Sequence, residues 1–308
     1  MRLGEAPEPR PGEGELLVRV RAAGVNRADL LQRLGRYPPP PGESEILGLE
    51  IAGEVIEPAG GFRRGDRVMA LLAGGGYAEL ACVAAAQALP IPDRLSFAEA
   101  AAVPEAFLTS WLNLFFIGRL ARGEVVVVHA GASGVGSAAL QLCRGVASAV
   151  VATASAGKHD ACRALGATHV LDRAQVPAGL GAAVRAAAGR PADLILDLVG
   201  AAYLEANVAA LGLHGRLCCI STMSGSKATL DLGALLSRRL SILGSTLRSR
   251  TAAQKAKLVA SFAEGALGRL GAGELRPVVH RKFPLAEAAA AHEVLARNEA
   301  IGKVVLEV

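Results

Sequence analysis

Cysteines are few in this chain, and none are paired in spacing. The five present, Cys82, Cys143, Cys162, Cys218 and Cys219, are an odd number with no C-x-x-C pattern. That excludes a disulfide scaffold and predicts reduced, buried thiols in a cytoplasmic protein. No run of eighteen or more apolar residues escapes a proline or charged interruption, so no membrane span is expected. The opening residues carry no basic-then-apolar pattern, so no signal segment is expected. The net charge of +5 is spread over 308 residues, with one local cluster at Arg238, Arg239, Arg248 and Arg250. So dispersed an excess fits an anionic small molecule and argues against a nucleic-acid partner. Internal repeats are absent, and no Ser-His-Asp or paired-carboxylate set can be assembled. With 52% hydrophobic and 20% charged residues, what remains is a globular chain long enough for two domains.

The most informative segment present is Val125-Val-Val-Val-His129 followed by Ala-Gly131-Ala-Ser133-Gly134-Val135-Gly136 and then Ser137 to Cys143. The valines read as a strand buried on both faces, and Ser137 to Cys143 carries helix formers with Leu140 on the inward stripe. Strand, glycine turn and helix in that order form a dinucleotide cradle, in which N–H groups at the helix start face a pyrophosphate. Read strictly, the G-x-G-x-x-G fingerprint is Gly131, Ser133 and Gly136, with a hydroxyl residue at its second glycine. Ser133 is therefore either a contact to cofactor or substrate or a turn residue. His129, ending the strand, reads as a satisfied core imidazole.

Roughly twenty residues on, NAD-specific folds place an acid that binds the ribose 2′-hydroxyl. None is present. The strand Ala149 to Thr153 runs into Ser155, Gly157, Lys158 and His159, and Asp160 falls in the following helix. Ser155 and Lys158 offer a hydroxyl and a positive charge to a 2′-phosphate, which predicts NADPH; the alternative for Lys158 is a solvated surface lysine.

Along the chain, residues 15–24, 50–57 and 67–72 read as strands separated by Gly, Pro and Asp turns. From Ser96 the pattern turns helical, with a break at Pro104 and a helix from Ala106 to Gly118. Strands then alternate with helices at 125–129, 149–153, 169–171, 194–198, 216–221 and 241–245, predicting an α/β fold with a doubly wound, Rossmann parallel sheet. Short strands return after Arg276, around a helix at 286–297. The expected division is a β-rich domain of residues 1–106 completed by 268–308, and a nucleotide-binding domain of residues 107–267.

These residues resemble the zinc-free medium-chain dehydrogenases/reductases, specifically the zeta-crystallin-like quinone oxidoreductases. The resemblance rests on Gly24-Val-Asn-Arg-Ala-Asp-Leu30, Gly35-Arg-Tyr-Pro-Pro-Pro-Pro-Gly42, Ile46-Leu-Gly-Leu-Glu50, Gly65-Asp-Arg67, His129 to Gly136 and Gly244-Ser-Thr-Leu-Arg-Ser-Arg250. The Tyr-Pro-Pro-Pro-Pro-Gly and Leu-Arg-Ser-Arg segments are most similar to the tumour-suppressor-inducible branch. The resemblance implies that the β-rich domain is GroES-like. It also implies that Asn26 and Thr109 lie beside the nicotinamide, Tyr37 and Ser133 at the mouth of a substrate cleft, and Leu247 with Arg248 along its wall. Asn26, Tyr37 and Ser133 are then the expected catalytic residues. Gly131, Gly134, Val135, Gly136, Ser155, Lys158 and Arg173 join Asn26, Thr109, Ser133, Leu247 and Arg248 in holding NADPH. For Asn26 a helix cap is the alternative, for Tyr37 packing on Pro38, and for Thr109 a bond to its own helix.

Zinc-dependent relatives hold a catalytic metal with Cys and His, and the matching positions here are Asn26 and Leu49, so no metal is expected. Hydride transfer without a Lewis acid suits electron-poor acceptors, either a quinone or an α,β-unsaturated carbonyl. A non-catalytic NADPH-binding protein is the third reading. A homodimer is implied, with Ser241 to Ser245 pairing edge to edge.

Two departures stand out. Relatives carry an opening strand pair of about a dozen residues, a hairpin's length, before the Pro-Gly-Glu-Gly-Glu segment, and its absence predicts an open sheet edge. At Leu171-Asp172-Arg173 relatives have an Asn-Tyr pair whose ring packs on adenosine. Arg173 offers instead a guanidinium, to stack on adenine or pair with a 2′-phosphate.

Overall fold

The computed structural model describes residues 1–308, which divide into two compact units, Met1–Leu108 with Leu247–Val308, and Thr109–Thr246. The first unit opens with β1 (Glu15–Val25), α1 (Arg27–Arg33), β2 (Glu50–Glu57), β3 (Arg67–Leu71), β4 (Leu80–Ala84), β5 (Ala88–Pro90) and α2 (Phe97–Ala100). The helix α3 (Pro104–Trp111) contains the boundary and continues as a wider, π-helical turn to Ile117. Phe97–Ile117 is long and apolar enough to cross a membrane by length and composition, but 67% of its apolar window is buried within the protein.

The second unit is β6 (Val125–Val128), α4 (Gly134–Cys143), β7 (Ala149–Ala154), α5 (His159–Ala164), β8 (His169–Asp172), α6 (Val176–Ala188), β9 (Ala192–Asp197), α7 (Leu204–Ala210), β10 (Leu211–Cys219), α8 (Leu232–Ser237) and β11 (Ser241–Gly244). Its six strands are all parallel, in the order β11-β10-β9-β6-β7-β8. The order reverses at β6, and in such sheets ligands bind beyond the carboxyl ends of the strands at the reversal. Val125 to Val128 are at most 1% exposed, as a strand covered on both faces requires. Each such side chain contributes about 2 kcal/mol of burial.

The chain then returns to the first unit through α9 (Ala252–Phe262), α10 (Gly268–Ala272), β12 (Val279–Pro284), α11 (Ala288–Ala296) and β13 (Lys303–Glu307). The return falls at Leu247, some way before the expected residue 268, and its reason is packing. Arg248 is buried against Ala73, Tyr37 and Gln32, and Phe262 meets the Phe107 ring edge-on at 6.2 Å. The sheet of this unit runs β12-β13-β1-β2-β3-β5, with β4 also paired to β1. Residues 1–12 form no strand. β1 lies inside the sheet, its first half paired to β4 and its second half to β13, with β2 along the other side, and the sheet ends at β12 and β5.

Candidate functional site

In the second unit the backbone turns sharply after β6. Ala130 takes a positive φ of 49°, and the Gly131 N–H donates to the Thr153 carbonyl at 2.9 Å. A Cβ on Gly136 would stand 2.3 Å from the Ala130 carbonyl oxygen and 2.8 Å from Gly131 Cα. Only glycine fits there. Ser133 caps α4, its Oγ accepting the Gly136 N–H at 3.0 Å. The expected contact residue is thus a turn residue, and its hydroxyl proton stays available to an anion. Gly134 and Val135 occupy the first helical turn, where N–H groups have no acceptor inside the helix. The cradle fits a dinucleotide in its order of strand, close glycine turn and helix start, with the first-turn N–H groups of α4 as the donors such sites use.

At the end of β7, Ser155 and Lys158 are half-buried and flank a single 3₁₀ turn. The His159 Nε2 hydrogen bonds the Ala154 carbonyl at 3.2 Å and lies 4.0 Å from Asp172. Asp160 is on α5, paired with Arg163 at 2.6 Å. The acid at the end of the next strand, Asp172, is occupied in capping, accepting the Ala174 N–H at 2.8 Å. Arg173 is exposed, and its carbonyl accepts the Tyr203 hydroxyl at 2.9 Å.

Tyr203, which no local pattern singles out, packs edge-on against His129 with ring centroids 4.9 Å apart. His129 is fully buried between Thr153 Oγ1 at 3.0 Å and Asn207 Oδ1 at 2.6 Å. Burial pulls its pKa below the ordinary imidazole value, with Asp197 opposing. Asn207 in turn donates to Asp197 at 3.2 Å. This core network ties together the ends of β6, β7 and β9, with both ring nitrogens of His129 engaged. Thr109 is buried, and its carbonyl accepts the Asn113 amide at 2.8 Å.

In the first unit Asn26 sits at the cap position of α1, but its side chain caps nothing. Its backbone N–H donates to Asp29 Oδ2 at 2.7 Å. Its amide donates to Glu50 Oε1 at 2.9 Å and accepts from Lys303 Nζ at 2.5 Å. Glu50 is 0% exposed and receives Lys303 at 2.6 Å and the Glu105 backbone N–H at 2.8 Å. Gly24 makes room for it, since a Cβ there would stand 2.2 Å from Glu50 Oε1. Asp29, also fully buried, accepts from Asn26, from Gly48 at 3.2 Å and from the Tyr77 hydroxyl at 3.1 Å. Its pKa is pushed up to about 6 by burial, against those bonds and the nearby Lys303. Leu49 lies in the core, an amide and a lysine ammonium occupy the Asn26 position, and no three His, Cys, Asp or Glu side chains are arranged to hold a metal. These residues do not fit a catalytic zinc.

Tyr37 is half-buried under the Arg248 guanidinium, which lies 5.3 Å from its ring centre. Arg248, expected on a cleft wall, is 4% exposed and donates to the Ala73 carbonyl at 2.7 Å, the Tyr37 carbonyl at 3.1 Å and Gln32 Oε1 at 2.8 Å. It holds the Tyr37 loop in place. Leu247 beside it is core. Burial and the neighbouring Glu105 raise the Tyr37 pKa, with Arg248 opposing.

A reversed-order parallel sheet with a glycine turn at its central strand, carried by a chain that also builds a separate antiparallel-rich unit, is a two-domain α/β architecture with a nucleotide-binding type of sheet. Residues 12–93 match the model of the alcohol dehydrogenase GroES-like domain, and residues 165–306 match that of the zinc-binding dehydrogenases. The quinone oxidoreductase of Lama guanicoe is 30% identical over 306 residues, covering 97% of this chain and 90% of the relative. The synaptic vesicle membrane protein VAT-1 homolog of Mus musculus is 44% identical over 171 residues, covering 54% of this chain and 42% of the relative. The match therefore spans less than half the length of that relative. Among solved structures, the quinone oxidoreductase of Thermus thermophilus is 36% identical, with a TM-score of 0.83 over 99% of this chain and 95% of that one. The chain belongs to the zinc-free medium-chain dehydrogenase/reductase family of oxidoreductases.

Proposed function

We propose that this protein reduces quinones with NADPH, without a metal. The observation that carries the reading is the Ser133-capped turn at the end of β6, whose Gly136 leaves no space for a side chain. The end of β7 adds a hydroxyl and an ammonium, Ser155 and Lys158, where an NAD-specific site would need an unoccupied acid. When bound, the dihydronicotinamide supplies two electrons and a hydrogen nucleus as hydride. The backbone N–H groups of Gly134 and Val135 and the Ser133 hydroxyl hold the pyrophosphate. Lys158 and Arg173 face the 2′-phosphate, and Thr109 holds the nicotinamide end. Tyr37, with its loop fastened by Arg248, orients the acceptor. The protein works as a cytoplasmic homodimer joined at the β11 edge.

Fluorescence titration with NADPH and NADH, followed by addition of 1,2-naphthoquinone, tests the reading. NADPH is expected to bind at least about tenfold tighter, a difference near 1.4 kcal/mol, and to be oxidised faster than in a protein-free control. Lys158→Ala should erase most of that preference. Equal affinity for both cofactors, or binding without oxidation, would reject it.

A further inference from the structure

The buried charged side chains of this protein are held by partners, with one exception. Asp29, Glu50, Asp197, Arg248 and Lys303 are each engaged on several sides. Lys255 is 4% exposed, yet its ammonium makes no hydrogen bond and no ion pair. A buried ammonium without a partner is costly to fold around. Nor is it sealed in, since the buried side-chain atom that lacks both a partner and solvent is His292 Nδ1. The small exposure of Lys255 therefore belongs to its charged end, which stands at the bottom of an opening.

The helix puts it there. Thr251 caps α9, its Oγ1 accepting the Gln254 N–H at 3.2 Å while the Gln254 side chain accepts the Thr251 N–H at 3.1 Å. Lys255 follows, one turn before Leu258 and Val259 and two before Phe262, on the buried stripe of the helix. Lys257, two residues on, is exposed in the ordinary way. The charged groups facing the Lys255 ammonium are Glu43, Glu105 and Arg248, none close enough to pair with it. Arg248 covers the Tyr37 ring at 5.3 Å and holds the Tyr37 carbonyl at 3.1 Å. Glu105 and Arg248 are also the charges that face the Tyr37 hydroxyl. Lys255 and Tyr37 thus look into the same surroundings, within one unit of the chain. Burial lowers the Lys255 pKa, with Glu43 and Glu105 opposing and Arg248 adding to the effect.

We propose that Lys255 is the group that hydrogen bonds the carbonyl oxygen of the acceptor and holds the negative charge that collects on it. The inference rests on the reading that Tyr37 lines the acceptor site of an NADPH-dependent reductase. An ammonium has three N–H donors and no acceptor, so an oxygen carrying charge is the atom that satisfies it. Arg248 is not available, because its guanidinium is committed to Ala73, Tyr37 and Gln32. A quinone or α,β-unsaturated carbonyl that receives hydride gains two electrons and one hydrogen nucleus. A new C–H or O–H bond forms, a π bond breaks, and its electron pair moves onto the carbonyl oxygen as a phenolate or enolate. Lys255 keeps its proton throughout and stabilises that oxygen in place, and water then protonates the product. A donor fixed in advance where charge develops supplies the stabilisation that a metal gives in zinc-dependent enzymes.

Lys255→Met tests this, since it keeps the length of the side chain and removes the charge. The melting temperature of the variant should rise, because an unpaired buried charge is gone; a lysine that served the fold would leave it lower. 4-Nitrophenol reads the anion site without turnover. At a pH near its own pKa, the wild type should raise its phenolate absorbance, with or without NADP⁺; Lys255→Met should not, and Lys255→Arg should restore part of the rise. NADPH affinity should be unchanged, while kcat for 1-octen-3-one and for 1,2-naphthoquinone falls by about 10²–10³-fold. Wild-type kcat and phenolate absorbance in Lys255→Met, or a lowered melting temperature, would overturn the role of Lys255 alone. A wild type that shifts the phenolate through Lys255 but reduces neither acceptor would overturn the reductase reading and leave the anion site standing. Should the variant fail to fold, a wild type that leaves the phenolate unshifted would still refute the assignment.

Discussion

Gly136 shows how much one atom decides. Replacing it with alanine puts a Cβ 2.3 Å from the Ala130 carbonyl oxygen, with backbone on all sides and no flexible side chain to yield. The turn must open, at a cost of about 1–3 kcal/mol, and the N–H groups of α4 lose their aim. Urea unfolding and NADPH titration of Gly136→Ala should show both losses together. A variant with intact stability and intact affinity would mean that the turn does not hold the cofactor. Asn26 shows the opposite limit. Asn at a strand-to-helix junction reads equally as a cap, and its cap position was legible; that its amide faces Glu50 and Lys303 was not.

At the scale of elements, the segment from Leu247 to Arg250 acts as a strap. Its three hydrogen bonds to the Ala73 and Tyr37 carbonyls and to Gln32 need the planar, forked guanidinium of Arg248, which a lysine ammonium cannot reproduce. Arg248→Lys should lower stability by about 1–3 kcal/mol and loosen the Tyr37 loop. The kinetic expectation is a raised KM for the acceptor with unchanged affinity for NADPH, measured by steady-state kinetics and fluorescence titration. Strand positions were legible because buried parallel strands are continuous apolar runs. The two short strands β4 and β5 were not, since Leu80–Ala84 and Ala88–Pro90 are alanine-rich and brief. Residues 247–267 were expected in the nucleotide-binding domain because nothing local marks where a helix will find its partner.

For the whole molecule, stability should depend on pH in a direction set by its shifted groups. The pKa of His292 is lowered to about 4, chiefly by burial, so at this group the unfolded chain binds more protons and its contribution to stability rises with pH from about 4 to 6.5. Asp29, raised to about 6, and Glu105, raised to about 8, both work against this gain and together exceed it. Between about 6.5 and 8 the raised Glu105 remains: the folded chain holds its proton more firmly, so stability falls as pH rises through its folded value. Thermal unfolding should show a melting temperature declining over that interval in the wild type and level in Glu105→Gln. A decline of equal size in both would assign it elsewhere. The proposed dimer has its own test. β11 ends the parallel sheet and exposes Ile242, so Ile242→Lys should shift the protein to monomer in size-exclusion chromatography, since a charge on an unpaired edge opposes strand addition.

By itself the sequence determined the nucleotide cradle and the order of the strands, because both depend on neighbouring residues. A valine run, a glycine turn and a helix start are consecutive, and their backbone demands are met locally. The acidic cluster was decided only by tertiary structure. Asn26, Glu50, Glu105 and Lys303 are scattered along the chain, and the pairing of Val25 with Val304 and of Ala23 with Ile51 brings three of them together. Whether a carboxyl is ionised depends on what surrounds it, and no local pattern of residues contains that.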